Sequence, residues 1–219
     1  VRTYIVCSAD RKPGWETPRH LLVLPDGEVL LHRTVRQFLA YGPVTVLGPD
    51  LRYKVPGAAL HIIAEPPPEW RYNTDALLQL DPFDKQDGIV MAFGDTYFSD
   101  EAVKTIMQSN MGIAFFGRWG RSKVTDTTWG ELFAVLVSSP ARWTFLAAWA
   151  NWIVDQYRKG AIWREGLWEL LCDMEGLKPI DKQSSHPMPK RYYVEINDAT
   201  DDIDFVKDVP GHLKGWKGK

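Results

Sequence analysis

The sequence predicts an α/β fold: a mostly parallel sheet with helices on both faces and a helical segment set late in the chain. Three observations predict it. Short apolar runs alternate with helix-periodic stretches through the first half, the pattern that gives parallel strands joined by crossover helices. Residues 88–93, Gly-Ile-Val-Met-Ala-Phe, are a nearly continuous apolar run, as expected of a strand covered on both faces. Acidic residues follow two strand-like runs, at Asp95 and over 198–202, and open sheets of this kind bind ligands beyond the carboxyl ends of their strands.

The elements follow in order. Residues 3–8 are rich in β-branched and aromatic side chains and read as the first strand, and an aperiodic loop runs on to His20. Residues 21–24 are a short apolar run stopped by the turn Pro25-Asp26-Gly27. Over 29–41, Leu31, Val35, Phe38 and Leu39 share one face of a helix that stops at Gly42-Pro43. Residues 44–47 and 60–64 read as strands and 73–80 as a short helix. Ser99 is placed to cap a helix running to about Gln108, with Asp100 and Glu101 favourable in its first turn. Residues 111–116 and 132–137 read as strands, 140–159 and 163–171 as helices, and 178–190 as a connector. A last strand over 192–196 precedes the acidic segment and a short terminal helix or turn.

At 219 residues and 25.0 kDa the chain suits one domain over 1–219, with 140–177 as a Trp-rich helical segment. No segment approaches the ~20 apolar residues of a membrane span, so no membrane partner is expected. The first residues run straight into a strand without a signal-peptide pattern, which points to the cytoplasm. Cys7 and Cys172 stand in unlike contexts and suggest neither a disulfide nor a zinc site. The five histidines lack metal-ligand spacing.

A net charge of −2 argues against a surface that binds polyanions throughout, but leaves room for local strips. One strip is Arg118, Trp119, Arg121 and Lys123; the other is the tail 214–219, which reads as a solvated terminus. Most of the ten tryptophans lie between Trp119 and Trp168. At helical spacing they read as core or as a subunit contact, the latter giving a homodimer through these helices; a stacking platform for bases or sugars is the other reading.

Asp95 carries the chemical expectation. It follows a buried strand and is preceded by Gly94, which lets backbone approach a phosphate while the carboxylate faces the cleft. Mg²⁺ or Mn²⁺ takes hard oxygen ligands, commonly one or two protein carboxylates completed by phosphate and water. Capping of the following helix is the structural alternative for the same residue.

Residues 20–37, from His20-Leu21-Leu22 through Pro25-Asp26-Gly27 to Leu31-His32-Arg33-Thr34, resemble a segment of the sugar-phosphate nucleotidyltransferases. Gly94-Asp95-Thr96-Tyr97-Phe98 is similar to that family's metal-binding strand end, and Glu195-Ile196-Asn197-Asp198 with Asp201-Asp202-Ile203 to its late acidic segment. The superfamily that these segments resemble is that of the nucleotide-diphospho-sugar transferases. A looser likeness to its bacteriophage members rests on residues 94–101, 115–118 and 129–134. These fold like GT-A glycosyltransferases, and the resemblance therefore implies a GT-A-like, Rossmann-like sheet. It also implies a bound Mg²⁺ or Mn²⁺ held by Asp95 and Asp198, with Asn197 as the other candidate ligand, and host cytoplasm as the location if the chain is phage-encoded.

The first loop departs from the family pattern. Ser8, Ala9, Asp10, Arg11 and Lys12 occupy the stretch where glycines would cradle a triphosphate, and Arg19 stands at the lysine position after Pro18. Arg11, Lys12 and Arg19 can still neutralise a diphosphate, Arg19 in bidentate fashion, whereas Asp10 opposes a triphosphate. Transfer of a sugar from a nucleotide-diphosphate sugar is therefore the leading expectation. Arg19 and metal-bound Asp95 would assist the leaving diphosphate, Glu131 would serve the acceptor as ligand or base, and Asn73 and Asp75 would touch the nucleotide or donor sugar. A modified base of phage DNA, met by the Arg118 to Lys123 strip, is the expected acceptor. The alternative is a sugar-1-phosphate or choline-phosphate nucleotidyltransferase using a nucleoside triphosphate. A second alternative is a non-catalytic nucleotide-sugar-binding or interaction protein.

Overall fold

The computed structural model describes residues 1–7, 17–63, 74, 77–78, 88–125, 127–177 and 188–203. Its main sheet has seven strands: β1 (Arg2–Val6), β2 (Val44–Gly48), β3 (Ala59–Ile62), β4 (Ile89–Phe93), β6 (Ile113–Arg118), β7 (Glu131–Val137) and β8 (Tyr193–Glu195), in the order β3-β2-β1-β4-β7-β6-β8. All neighbours pair in parallel except β7, which runs antiparallel to both β4 and β6. The reason is local. Among the described residues of 119–130 there is no helix to return the chain to the far edge, so β7 starts where β6 ends. Two short strands, β5 (Thr96–Tyr97) and β9 (Asp201–Asp202), form a separate antiparallel ribbon.

Strand alternation sends successive side chains to opposite faces. Tyr4 and Val6 join a core with Trp143, Leu146, Ala150 and Ile153 of α3 (Pro140–Arg158) and Leu170 and Leu171 of α4 (Leu167–Met174). Ile5 and Cys7 join a second core with Leu31, Val35 and Phe38 of α1 (Leu30–Leu39) and Ala102, Val103 and Ile106 of α2 (Asp100–Met107). Helices cover both faces, as expected. Each fully buried Phe or Leu contributes about 1.5–3 kcal/mol, so the two cores hold the sheet from both sides.

The caps follow the sequence. Ser99 Oγ accepts from the Ala102 amide at 2.9 Å and starts α2, while Ser139 caps α3 ahead of Pro140. α4 begins four residues later than the periodicity suggests, because Gly166 takes the cap position. The apolar run at 21–24 is not a strand: Arg19–Leu21 is a 3-10 helix, and a single bridge joins Val23 to Val29. β6 is displaced two residues from its expected start, and so carries Arg118 within the strand. Of the expected helix 73–80, Thr74, Leu77 and Leu78 are helical; its remaining residues, the segment 178–187 and the tail lie outside the described residues.

Trp143 is fully in the core, whereas Phe145 and Trp152 of α3 face outward. Cys7 and Cys172 are both free and buried. Among the described residues no helix is long and apolar enough to cross a membrane.

Candidate functional site

β1 and β4 are parallel neighbours, so both end at one edge of the sheet. There the Gly94 amide donates to the Val6 carbonyl at 2.9 Å. A Cβ at Gly94 would lie 2.6 Å from Cys7 Sγ and 3.1 Å from His20 Cδ2, so only glycine lets the chain turn this close to β1. Asp95 follows, and β5 then pairs with β9, setting Thr96 opposite Asp202 and Tyr97 opposite Asp201. The Ile203 amide donates to the Asp95 carbonyl at 3.1 Å. Two segments a hundred residues apart in sequence thus meet at the sheet edge.

Arg19, on its 3-10 turn, reaches into this junction. Its Nη2 lies 2.7 Å from Asp95 Oδ2, its Nη1 3.8 Å from Asp202 Oδ1, and Nη1 also donates to the Ile203 carbonyl at 3.1 Å. The arginine is 3% exposed, against 13% for Asp95 and 23% for Asp202. One buried cation serves two partly buried carboxylates. Burial, and then the charge of Asp95, push the neighbouring Cys7 thiol well above its usual range, so it stays protonated.

Asp198 has a different set of partners. Its Oδ2 accepts from Ser99 Oγ at 2.6 Å and its Oδ1 from the Thr200 amide at 2.7 Å, which ties it to the N-terminus of α2, where negative charge is favoured. Asn197 is exposed, and its carbonyl accepts from Lys123 Nζ at 3.2 Å. The carboxylate that shares Arg19 with Asp95 is Asp202, which in the sequence is marked only as part of the acidic segment. The apolar Ile203 behind it, fully buried, is the one signal that marks where that segment turns inward.

A second polar centre lies beside the first. Arg118 Nη2 contacts Glu131 Oε2 at 2.7 Å and Asp201 Oδ1 at 2.8 Å. Asp201 also accepts from Ser122 and Thr125 hydroxyls. Burial pushes the Asp201 carboxyl up, but hydrogen bonds with Glu131, Ser122 and Arg118 outweigh it and hold the group below its ordinary value. Arg118 is therefore not part of a surface strip. It is 3% exposed and committed to two acids; Arg121 and Lys123 are exposed, while Trp119 packs against Trp168 and Tyr193. Glu131, 8% exposed, is enclosed with Arg118 and not presented to an open cleft. Ser8, Ala9, Asp10, Arg11, Lys12, Asn73 and Asp75 lie outside the described residues.

Among the described residues no group of three or more His, Cys, Asp or Glu is arranged to hold a metal. Two solvent-reached carboxylates, Asp95 and Asp202, suit an ion that completes its shell with phosphate and water. This donor set fits Mg²⁺ or Mn²⁺, and Arg19 supplies the positive charge there in the protein alone.

No family model matches the sequence, nor does any curated protein. Solved structures do match. The 2-C-methyl-D-erythritol 4-phosphate cytidylyltransferase of Francisella tularensis is similar with a TM-score of 0.62 at 13% identity, over 98% of this chain and 99% of that one. The inositol-1-phosphate CTP transferase of T. maritima gives 0.57 at 12%, over 99% and 96%. The chain shares the fold of these two solved transferases. A Bacillus anthracis protein described as a glucose-1-phosphate thymidylyltransferase has the same nucleotidyltransferase fold, at 0.57 and 11%, over 100% and 96%. This corrects two expectations. The fold resembles that of nucleotidyltransferases, not that of a phage-type GT-A glycosyltransferase, and no phage-specific likeness accompanies it. Sugar transfer to a base of phage DNA falls with it, and the burial of Arg118 removes the anchor of the strip that was to meet the DNA.

Proposed function

We propose that the chain is a nucleotidyltransferase that joins a phosphomonoester of the sugar-1-phosphate class to a nucleoside triphosphate and releases pyrophosphate. An oxygen of the acceptor phosphate attacks the α-phosphorus, forming a P–O bond. The bond from that phosphorus to the bridging oxygen of the β-phosphate breaks, and its electron pair leaves with pyrophosphate.

The observation that carries this reading is the convergence of Arg19, Asp95 and Asp202 at the carboxyl edge of a sheet with this fold. Asp95 and Asp202 would hold Mg²⁺ or Mn²⁺, which when bound neutralises charge on the phosphates. With the carboxylates so occupied, the Arg19 guanidinium is available to phosphate oxygens, for which its planar fork is well matched. Arg11 and Lys12, next to the end of β1 in sequence, are the further cations expected to meet the triphosphate. A paired arrangement of this kind acts by position and charge and needs no covalent intermediate.

Pyrophosphate release is the test, with each common nucleoside triphosphate paired against a panel of phosphomonoesters, in Mg²⁺ and in Mn²⁺. Release should depend on one nucleotide and one acceptor class and fall at least ~100-fold in Asp95→Asn. Absence of release from every pairing, with the protein folded and both metals tried, would refute the reading.

A further inference from the structure

The backbone of Arg19 is fixed, so any change of partner falls to its side chain. The 3-10 turn Arg19–Leu21 is closed by the Leu21 amide donating to the Pro18 carbonyl at 2.8 Å and the Leu22 amide to the Arg19 carbonyl at 3.1 Å. His20, 1% exposed, packs edge to face on Tyr53 with ring centroids 5.7 Å apart, which seats the turn in the core. From that anchor the guanidinium reaches Asp95 Oδ2 at 2.7 Å, the Ile203 carbonyl at 3.1 Å and Asp202 Oδ1 at 3.8 Å. The last is a contact of charges, too long for a hydrogen bond.

This cation lies where a divalent ion shared by Asp95 and Asp202 would have to act. A metal ion arriving alone is attracted by the carboxylates and repelled by the guanidinium, and to take the carboxylates it must leave a buried cation without its counter-charge, which is costly. A phosphate chain arriving alone meets Asp95 and Asp202 as like charges. When the two arrive together the exchange is complete. The carboxylates pass to the metal, and the guanidinium passes to phosphate oxygens, which its planar fork matches as well as it matches a carboxylate. Each charge then has a partner before the exchange and after it.

We infer that Arg19 is an internal counter-cation that keeps Asp95 and Asp202 closed to a divalent ion by itself and yields them only when phosphate accompanies the ion. The inference takes from the nucleotidyl-transfer reading the assignment of the two carboxylates to a metal, and nothing about the reaction. It makes metal and phosphate cooperative ligands, each tightening the other by the same factor. The affinity for metal alone is lowered by the small fraction of molecules in which the guanidinium has left its carboxylates.

The experiment is Mn²⁺ binding to the full chain without nucleotide, read from the electron paramagnetic resonance signal of unbound Mn²⁺. Arg19→Met should bind Mn²⁺ at least about tenfold more tightly than the parent, whereas Arg19→Lys, which keeps the charge, should not. Adding Asp95→Asn to Arg19→Met should abolish the gain, which locates the ion. Circular dichroism gives the folded fraction of each variant. A second measurement needs only the parent: the Nε–H resonance of Arg19 should stay in place with Mg²⁺ alone and with inorganic tripolyphosphate alone, and move when both are present. Equal Mn²⁺ affinity in the parent and in folded Arg19→Met overturns the inference, as does a resonance that moves with Mg²⁺ alone or is unmoved by the pair. Tighter Mn²⁺ binding by Arg19→Met, with no pyrophosphate released by the parent from any nucleotide and acceptor, refutes nucleotidyl transfer and leaves Arg19 in this role. Pyrophosphate release together with Mn²⁺ binding indifferent to Arg19 does the reverse.

Discussion

Arg19 Nη2 lies 2.7 Å from Asp95 Oδ2, and the two residues come from separate turns at the ends of the chain's first loop and its central strand. With Asp202 on the same guanidinium, Arg19 does structural work before any ligand arrives. Removing one partner of a buried ion pair leaves an uncompensated charge, which is costlier than the pair is worth. Arg19→Met should therefore lose about 3 kcal/mol in urea denaturation, and Mg²⁺ should restore part of it. A variant as stable as the parent would mean that solvent already screens both carboxylates.

Gly94→Ala should be destabilised by about 1–3 kcal/mol, since overpacking forces backbone or core side chains to move. The new methyl would meet Cys7 Sγ at 2.6 Å, so the clash belongs largely to one atom. In a Cys7→Ala background the same substitution should cost less. A double-mutant cycle reads this coupling; strict additivity would show that the Val6 carbonyl, at 3.2 Å from the added carbon, sets the penalty instead.

Ser99→Ala removes the cap of α2 and a hydroxyl donor to Asp198. Loss of a capping side chain costs about 1 kcal/mol, and the stranded Asp198 should add to it. Ser99→Asp keeps a capping acceptor but sets two carboxylates together. It should be no better than alanine at neutral pH and should improve as the pH falls, in thermal melts run across that range.

Asp201 gives the acid limb of the stability curve. Its carboxyl is held below the ordinary value in the folded protein, so the unfolded chain binds the proton more tightly. Its contribution is present in full above the unfolded value near 4 and is lost as pH drops through the lower folded value. Asp201→Asn should flatten the curve below about pH 4 and cost stability at neutral pH, where Arg118 would keep only Glu131. A variant with an unchanged acid limb would assign that limb to other carboxylates.

Much of this architecture is written in the apolar pattern. β1, β2, β4 and α1 fall within a residue or two of their expected places because burial on one or both faces imposes a period that can be counted. Strand direction leaves no such trace, which is why β7 gives no sign of running backwards. β5 and β9 have two residues each, too few for any alternation to show. The same gap explains the site. Asp95 is legible because a buried strand ends at it. The different partners of Asp198 and Asp202 depend on a turn in which Asp198 accepts from Ser99 and Thr200 while Asp202 faces Arg19. Arg118 reads as a surface cation in the sequence because its two buried counter-ions come from distant segments, β7 and β9.

The ribbon of β5 and β9 also fixes when the molecule becomes competent. Thr96 and Tyr97 have no strand partner in that ribbon until Asp202 and Asp201 arrive, about a hundred residues later in synthesis. A chain emerging from the ribosome can lay down β1, β2 and β4 long before it owns a second acid beside Arg19. Contacts this distant in sequence are slow to close, so docking of the ribbon is the natural last event of folding. Cleavage just ahead of residue 200 would strand a nearly complete sheet without the strand that brings Asp202 to Arg19.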